Sequence, residues 1–349
     1  MRAMSITIKD VAKRANVAPS TVSRVISDSP KISEKTKRKV RAIMEEMGYH
    51  LNLNARFLVK QSTQTIGIVM KNSTQQSLHN PFFPEVLSGI STLCQKHNYS
   101  ITLTTGESEE SIFEDVVKMV QGKRVDGLVV LYSKKDDKVI PYLLECGFPF
   151  VLIGKPLISP NHVMYVDNDN VQSTKEVTEF LINLGHKNIA FIGGDPHFEV
   201  LEARLNGFKA ALMSNSIEVP EEYFKYFNFD PVVGNVAISE LMNLPTPPTA
   251  LVITDDLNAL IVMMALREMN ISVPEEVSVV SFNNTIISRL SSPPLTSVDT
   301  QSLQLGYEAA KCLIELLEEP TMVKKSVIIP TVIIKRESQV PVTTRILSK

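Results

Sequence analysis

Four polar side chains crowd one octapeptide: Ser20, Thr21, Ser23 and Arg24 lie between Pro19 and Ile26. Hydroxyls that donate and accept, beside a planar guanidinium fork, are the groups that read base edges in a DNA major groove. Arginine can grip guanine O6 and N7 with two parallel hydrogen bonds. The apolar residues of the same stretch, Val22, Val25 and Ile26, recur at helical spacing and turn inward. The polar set therefore belongs on the outer face of a short helix, with Pro19 at a first position where a missing N–H costs nothing. No comparable catalytic set appears. The 6 histidines have no metal spacing, no G-x-S-x-G elbow occurs, and no glycine-rich phosphate loop follows a strand. This argues against an enzyme and implies neither cofactor nor metal. Cys94, Cys146 and Cys312 are too far apart for a zinc site and too few for a disulfide framework.

The reading helix needs neighbours to hold it. Thr7 is a suitable N-cap, with Asp10 in the first turn, for a helix burying Ile8, Val11, Ala12 and Ala15; Asn16 stops it. Ser33 caps a third helix in which Val40, Ile43, Met44 and Met47 recur at helical spacing, and Gly48 closes it. Two short helices joined tightly and followed by a third suit a helix-turn-helix, whose second helix enters the major groove; a plain three-helix bundle would read alike. Charge favours the first reading. Residues 1–60 hold 13 Lys/Arg against 5 Asp/Glu, a balance of +8, while the remainder holds 23 against 33, a balance of −10. A basic head on an acidic body seeks a polyanion with the head alone.

From residue 65 the rhythm changes. Short apolar runs (65–70, 100–104, 125–131, 149–153, 188–192, 250–254 and 277–282) alternate with amphipathic stretches such as 84–97, 112–121, 171–184 and 256–269. Continuous apolar strands alternating with helices predict parallel sheets covered on both faces. About seven such units exceed one sheet, so the fold class is α/β: an all-α head plus a body of two doubly wound parallel-sheet lobes. Ligands in such folds bind at the carboxyl ends of the strands, which makes the cleft between lobes the expected site. No run of 18 apolar residues predicts a membrane span. Met1 to Lys13 lacks the apolar stretch of a signal peptide, so the expected location is cytoplasmic.

The order of the residues carries a resemblance. Thr7-Ile8-Lys9-Asp10-Val11-Ala12-Lys13-Arg14-Ala15-Asn16-Val17 and Ser20-Thr21-Val22-Ser23-Arg24-Val25-Ile26 resemble the headpiece of the lactose/galactose-repressor family. The likeness continues through Ala55-Arg56-Phe57-Leu58, Asn80-Pro81-Phe82-Phe83, Arg124-Val125-Asp126-Gly127-Leu128, Arg204-Leu205-Asn206-Gly207-Phe208 and Leu295-Thr296-Ser297-Val298-Asp299. It implies a homodimer on a palindromic operator, with DNA contacts from Thr7, Pro19, Ser20, Thr21, Ser23, Arg24, Asn52, Ala55, Arg56 and Leu58. Residues 50–60 match the family's hinge helix, where Leu58 corresponds to the leucine that wedges into the minor groove. Ala18, Leu51 and Asn54 depart from the family's usual serine, proline and valine or leucine.

For the body the resemblance implies the periplasmic sugar-binding fold. The head spans 1–60, the body 61–340 and a tail 341–349, too short for a tetramerising heptad helix. The N-lobe is expected at 63–162 with 292–321, and the C-lobe at 163–291 with 322–340. A small sugar effector would lie between Phe82, Phe83, Arg204, Phe229, Asp255 and Asn283, the last standing where the family usually has aspartate. Gly154-Lys155-Pro156 and Tyr165-Val166-Asp167-Asn168-Asp169-Asn170 are most similar to the maltose-operon repressors of Gram-positive bacteria, a branch of the family. Another branch answers to a protein co-repressor, and that partner is the alternative to a sugar.

Overall fold

In the computed structural model, residues 6–26, 28–49, 62–71 and 78–342 are described. The chain divides into two compact units, Met1–Thr63 and Gln64–Lys349.

The first unit is the head. Its helices are α1 (Ile8–Ala15), α2 (Pro19–Ile26) and α3 (Glu34–Glu46). The Asp10 carboxylate accepts from the Thr7 N–H at 2.8 Å and the Thr7 hydroxyl at 2.6 Å, which fixes the first turn of α1. Asn16 ends that helix in the left-handed region, where a short polar side chain is tolerated. The Ser33 hydroxyl caps α3 by accepting from the Thr36 N–H. Val11, Ala12, Ala15, Val22, Val25 and Val40 form the core, with Ile43, Met44 and Met47 packed against it.

The second unit holds two six-stranded sheets. The first contains β1 (Thr65–Val69), β2 (Ser100–Leu103), β3 (Gly127–Val130), β4 (Phe150–Ile153), β5 (Met164–Asn168) and β11 (Ser326–Ile329), in the order β11-β5-β4-β3-β1-β2. The second contains β6 (Ile189–Gly193), β7 (Phe224–Tyr226), β8 (Ala250–Ile253), β9 (Ser278–Phe282), β10 (Thr296–Asp299) and β12 (Val332–Ile334), in the order β12-β10-β9-β8-β6-β7. Nine of the ten pairings are parallel; β10 with β12 is antiparallel. The central strands read Leu128-Val129-Val130, Val151-Leu152-Ile153 and Leu251-Val252-Ile253, buried on both faces because helices cover both.

The first lobe carries α4 (Phe82–Lys96), α5 (Glu109–Gln121), α6 (Val139–Glu145) and α12 (Ser302–Glu318); the second carries α7 (Asn170–Asn183), α8 (Glu199–Ser214), α9 (Pro231–Met242), α10 (Asp256–Glu268) and α11 (Ile286–Leu290). Helices α4 and α12 cross with their backbones nearly touching. A Cβ on Gly89 would lie 1.9 Å from the Leu303 carbonyl oxygen, and one on Gly306 would lie 2.0 Å from that of Val86. Only glycine permits that crossing.

The lobe boundaries differ from those the sequence suggests. Strand β5 pairs with β4, so the first crossover follows Asn168 rather than residue 162. Strand β10 pairs with β9, which puts Thr296–Asp299 in the C-lobe. Strand β11 pairs with β5, which puts Ser326–Ile329 in the N-lobe. The sequence places these strands poorly because each carries polar residues or sits at a sheet edge, where the continuous apolar run fails. Among the described residues no helix is long and apolar enough to cross a membrane.

Candidate functional site

In the head, α2 buries Val22 and Val25 and leaves Ser20, Ser23 and Arg24 exposed, with Thr21 half-buried. This is the disposition the periodicity predicts. Pro19 opens the helix, and Thr7 lies exposed at the start of α1. A lysine the sequence reading passed over ties the chain just past α2 to α3, beside the core contacts of Val22 and Val25. Lys37 on α3 is buried, and its ammonium reaches Asp28, just past α2, at 3.1 Å and Glu34 at 2.9 Å. Arg41 meets the same Asp28 carboxylate at 2.5 Å, and these cations hold that carboxyl below its ordinary range. Arg14 on α1 reaches Glu46 on α3 at 2.9 Å. A cation at (i, i+3) from Glu34 was the available signal. Asn52, Ala55, Arg56 and Leu58 lie outside the described residues.

In the body, a cleft of about 1030 Å³ opens between the two sheets. All six residues expected at the effector site line it: Phe82, Phe83, Arg204, Phe229, Asp255 and Asn283. Strand ends deliver the polar ones, as the topology of open parallel sheets requires. Asp255 follows β8 and caps α10 by accepting from the Leu257 N–H at 2.7 Å. Its other oxygen accepts from Asn283, just after β9, at 2.9 Å and from Asn80 of the opposite lobe at 2.8 Å. Burial, with Asp256 next to it, pushes the Asp255 carboxyl up to about 6 against those hydrogen bonds.

This arrangement explains the asparagine at 283. An aspartate there would set a second carboxylate against Asp255 at hydrogen-bond distance, whereas the amide donates. Asn283 also sits at φ +98, a backbone region unusual for any residue but glycine.

Arg204 on α8 is buried under the cleft floor. Its Nη1 donates to the Thr254 carbonyl at 2.5 Å, its Nε donates to Asn170 Oδ1 at 3.1 Å, and its guanidinium lies 4.2 Å from the Phe282 ring centroid. Burial lowers its pKa to about 10. Arg204 thus joins the end of β8, α7 and β9 as well as lining the cleft. Across from it, Asp167 at the end of β5 accepts from the Asn168 N–H at 2.8 Å and from Asn170 Nδ2 at 3.1 Å, and burial pushes its carboxyl up to about 6.

The aromatics divide. Phe82 and Phe83 line the cleft edge to face, ring centroids 5.3 Å apart, and also pack on the N-lobe core. Phe229 is partly exposed at the mouth; its backbone is left-handed and its N–H donates to Asn258 Oδ1 at 3.1 Å. Sequence reasoning missed Asn80, Asp167, Asn170, Ser133 and Glu199. Asn80 opens the quoted Asn-Pro-Phe-Phe segment, and Asp167 with Asn170 lies in the quoted Tyr165–Asn170 segment. Their position at strand and helix ends was the signal for a polar role. A patch combining apolar rings with dense hydrogen-bonding groups suits a polyhydroxylated ligand. No group of three metal-ligating side chains occurs among the described residues.

A helix-turn-helix head joined in one chain to a two-lobed body with a polar and aromatic cleft is the architecture of a DNA-binding transcription regulator. Comparison with known proteins agrees. Residues 7–52 match the model for bacterial regulatory proteins of the lacI family, and residues 178–339 match the periplasmic binding protein-like domain. The HTH-type transcriptional regulator MalR of Staphylococcus xylosus is 35% identical over 335 residues, covering 95% of this chain and 98% of that protein. The solved complex of the regulator CelR with cellobiose is 30% identical, with a TM-score of 0.75 over 95% of this chain and 99% of that one. The lac repressor dimer bound to operator and the anti-inducer ONPF has a TM-score of 0.83 at 25% identity, covering 96% of this chain and 99% of that one. The chain belongs to the lacI family of bacterial regulatory proteins.

Proposed function

We propose that this regulator works as a cytoplasmic homodimer that represses an operon for maltose or a related α-glucoside, and that a small sugar held between the lobes releases it from its operator. The observation that carries this reading is the cleft itself. Asp255, Asn283, Asn80 and Arg204 converge on one end of it and Phe82, Phe83 and Phe229 supply apolar ring faces. Similarity to a solved structure named as the maltose operon repressor malR favours maltose, and the cellobiose complex of CelR favours a glucose disaccharide. On the DNA side, Ser20, Thr21, Ser23 and Arg24 read bases, Thr7 and Pro19 sit at the approaching helix ends, and Asn52, Ala55, Arg56 and Leu58 complete the contact. Leu58→Ala then weakens operator binding and leaves sugar affinity unchanged.

The coupling needs differential affinity: the sugar must prefer the lobe arrangement that binds DNA less well. The cleft is where such a preference can arise, since Asn80 of one lobe bonds Asp255 of the other across it. Isothermal titration of the full-length protein with maltose, isomaltose, cellobiose and glucose tests the reading. Saturable binding of an α-glucoside is expected. Binding of none of them, together with capture of a protein partner, would favour the co-repressor reading instead.

A further inference from the structure

The lobes meet at a second place. Beyond β3, the Lys135 N–H donates to the His197 carbonyl at 2.9 Å and the Glu199 N–H donates to the Ser133 carbonyl at 3.0 Å. Lys134 and Phe198 pair as an isolated antiparallel bridge. Lys135 reaches Glu202 at 2.7 Å, and Lys71 lies 3.3 Å from the Phe198 ring centroid. Main chain of the N-lobe is thus sewn to the start of α8 in the C-lobe.

This seam leaves two polar atoms with nothing to bond. Ser133 Oγ and Glu199 Oε2 are both buried and both lack a hydrogen-bond partner, and both residues line the cleft. A buried, unsatisfied carboxylate oxygen is costly and rare in a folded protein unless something else completes it. Burial and the facing Asp167 carboxylate push the Glu199 carboxyl up to about 7. An unpartnered carboxylate oxygen is relieved by a hydrogen-bond donor, and a hydroxyl supplies one without bringing a charge.

We propose that Ser133 and Glu199 form a specificity-determining subsite that receives a hydroxyl of an uncharged sugar, Glu199 accepting from it and Ser133 bonding the same or the adjacent oxygen. The inference rests on the reading of the cleft as a sugar site and deepens it. The two residues belong to different lobes and are joined through their own backbones, so the subsite spans the seam between the lobes. A sugar bonded to both therefore ties the lobes together at that seam.

The test is a double-mutant-type comparison on the full-length protein. Maltose and its monodeoxy analogues are titrated by calorimetry into the parent, Glu199→Ala and Ser133→Ala, with thermal unfolding of each variant as a control for folding. Glu199→Ala is expected to weaken maltose about 10- to 100-fold, the range for a hydrogen bond to a charged group. One monodeoxy analogue should lose a similar factor in the parent and nothing further in Glu199→Ala. If the parent binds maltose but every analogue suffers the same penalty in parent and variants, the subsite is wrong and the sugar site stands. If the parent binds no sugar while Glu199→Ala remains folded, both fall.

Discussion

Replacing Arg204 by alanine removes three buried interactions at once. The hydrogen bonds to the Thr254 carbonyl and Asn170 Oδ1 are charge-assisted, each worth about 1.5–3 kcal/mol. The contact with the Phe282 ring adds about 1 kcal/mol. These are not additive, and breaking a buried charged network typically costs about 3–5 kcal/mol. Loss of the cation also removes a favourable charge from beside Asp167 and Asp255, which keep their hydrogen bonds to neighbouring amides. Against a total stability of about 5–15 kcal/mol the body still folds at 25 °C. For a unit of this size the cost corresponds to a fall in Tm of roughly 10 °C. Differential scanning calorimetry measures the fall, and calorimetric titration measures the accompanying loss of sugar binding. A Tm within 2 °C of the parent, on the order of the error of a scan, would refute the account of Arg204 as a member of both fold and site. Unaltered sugar affinity would refute its place in the cleft.

Arg24→Ala should weaken operator binding by about 1–3 kcal/mol per half-site and relax preference at one base pair, measured by fluorescence anisotropy across single-base operator variants; uniform weakening would make Arg24 a backbone contact. Asn80→Asp keeps the acceptor that the Phe82 N–H uses at 3.1 Å but sets a carboxylate against Asp255, so maltose affinity at pH 7.5 should fall about tenfold and recover as the pH is lowered and the pair takes up one proton. Asp167 titrates near 6 when folded and near 3.8 when unfolded, so the folded chain holds a proton that the unfolded chain releases between those values. Stability from this group is present at low pH and lost as pH rises through about 6. The stability difference between parent and Asp167→Asn should therefore shift in the parent's favour by about 1 kcal/mol from pH 7 to pH 5, read by urea titration. A shift of the opposite sign would contradict the buried placement of Asp167.

The elements that local chemistry specifies were legible in the sequence. Thr7 with Asp10, Pro19, Ser33 and Gly48 mark the head's helix ends because capping is a matter of a few adjacent residues. The apolar runs of β1, β3, β4, β6, β8 and β9 stand out because strands buried on both faces have no polar side. Strands β5, β10, β11 and β12 do not: Asp167-Asn168, Thr296-Ser297 and Ser326 interrupt the apolar pattern, and their membership is decided by pairing with distant strands. That is why each lobe boundary moved. The cleft residues Arg204 and Asn283 came from resemblance and Asp255 from its place just after a strand; residue type alone does not distinguish a buried arginine that serves a ligand from one that also ties three elements together. Asn80, Ser133 and Glu199 matter because two lobes approach one another, and a contact between residues 175 positions apart, as between Asn80 and Asp255, leaves no local trace.

The central claim is that occupancy of the cleft governs the head. The direct measurement is anisotropy of a labelled operator duplex bound by the full-length protein, titrated with maltose at fixed salt, with Arg204→Ala run alongside. The account predicts release of the operator by the parent over the same sugar range in which calorimetry shows binding, and no release from Arg204→Ala. Operator affinity unchanged at a maltose concentration that saturates the parent's cleft would contradict it.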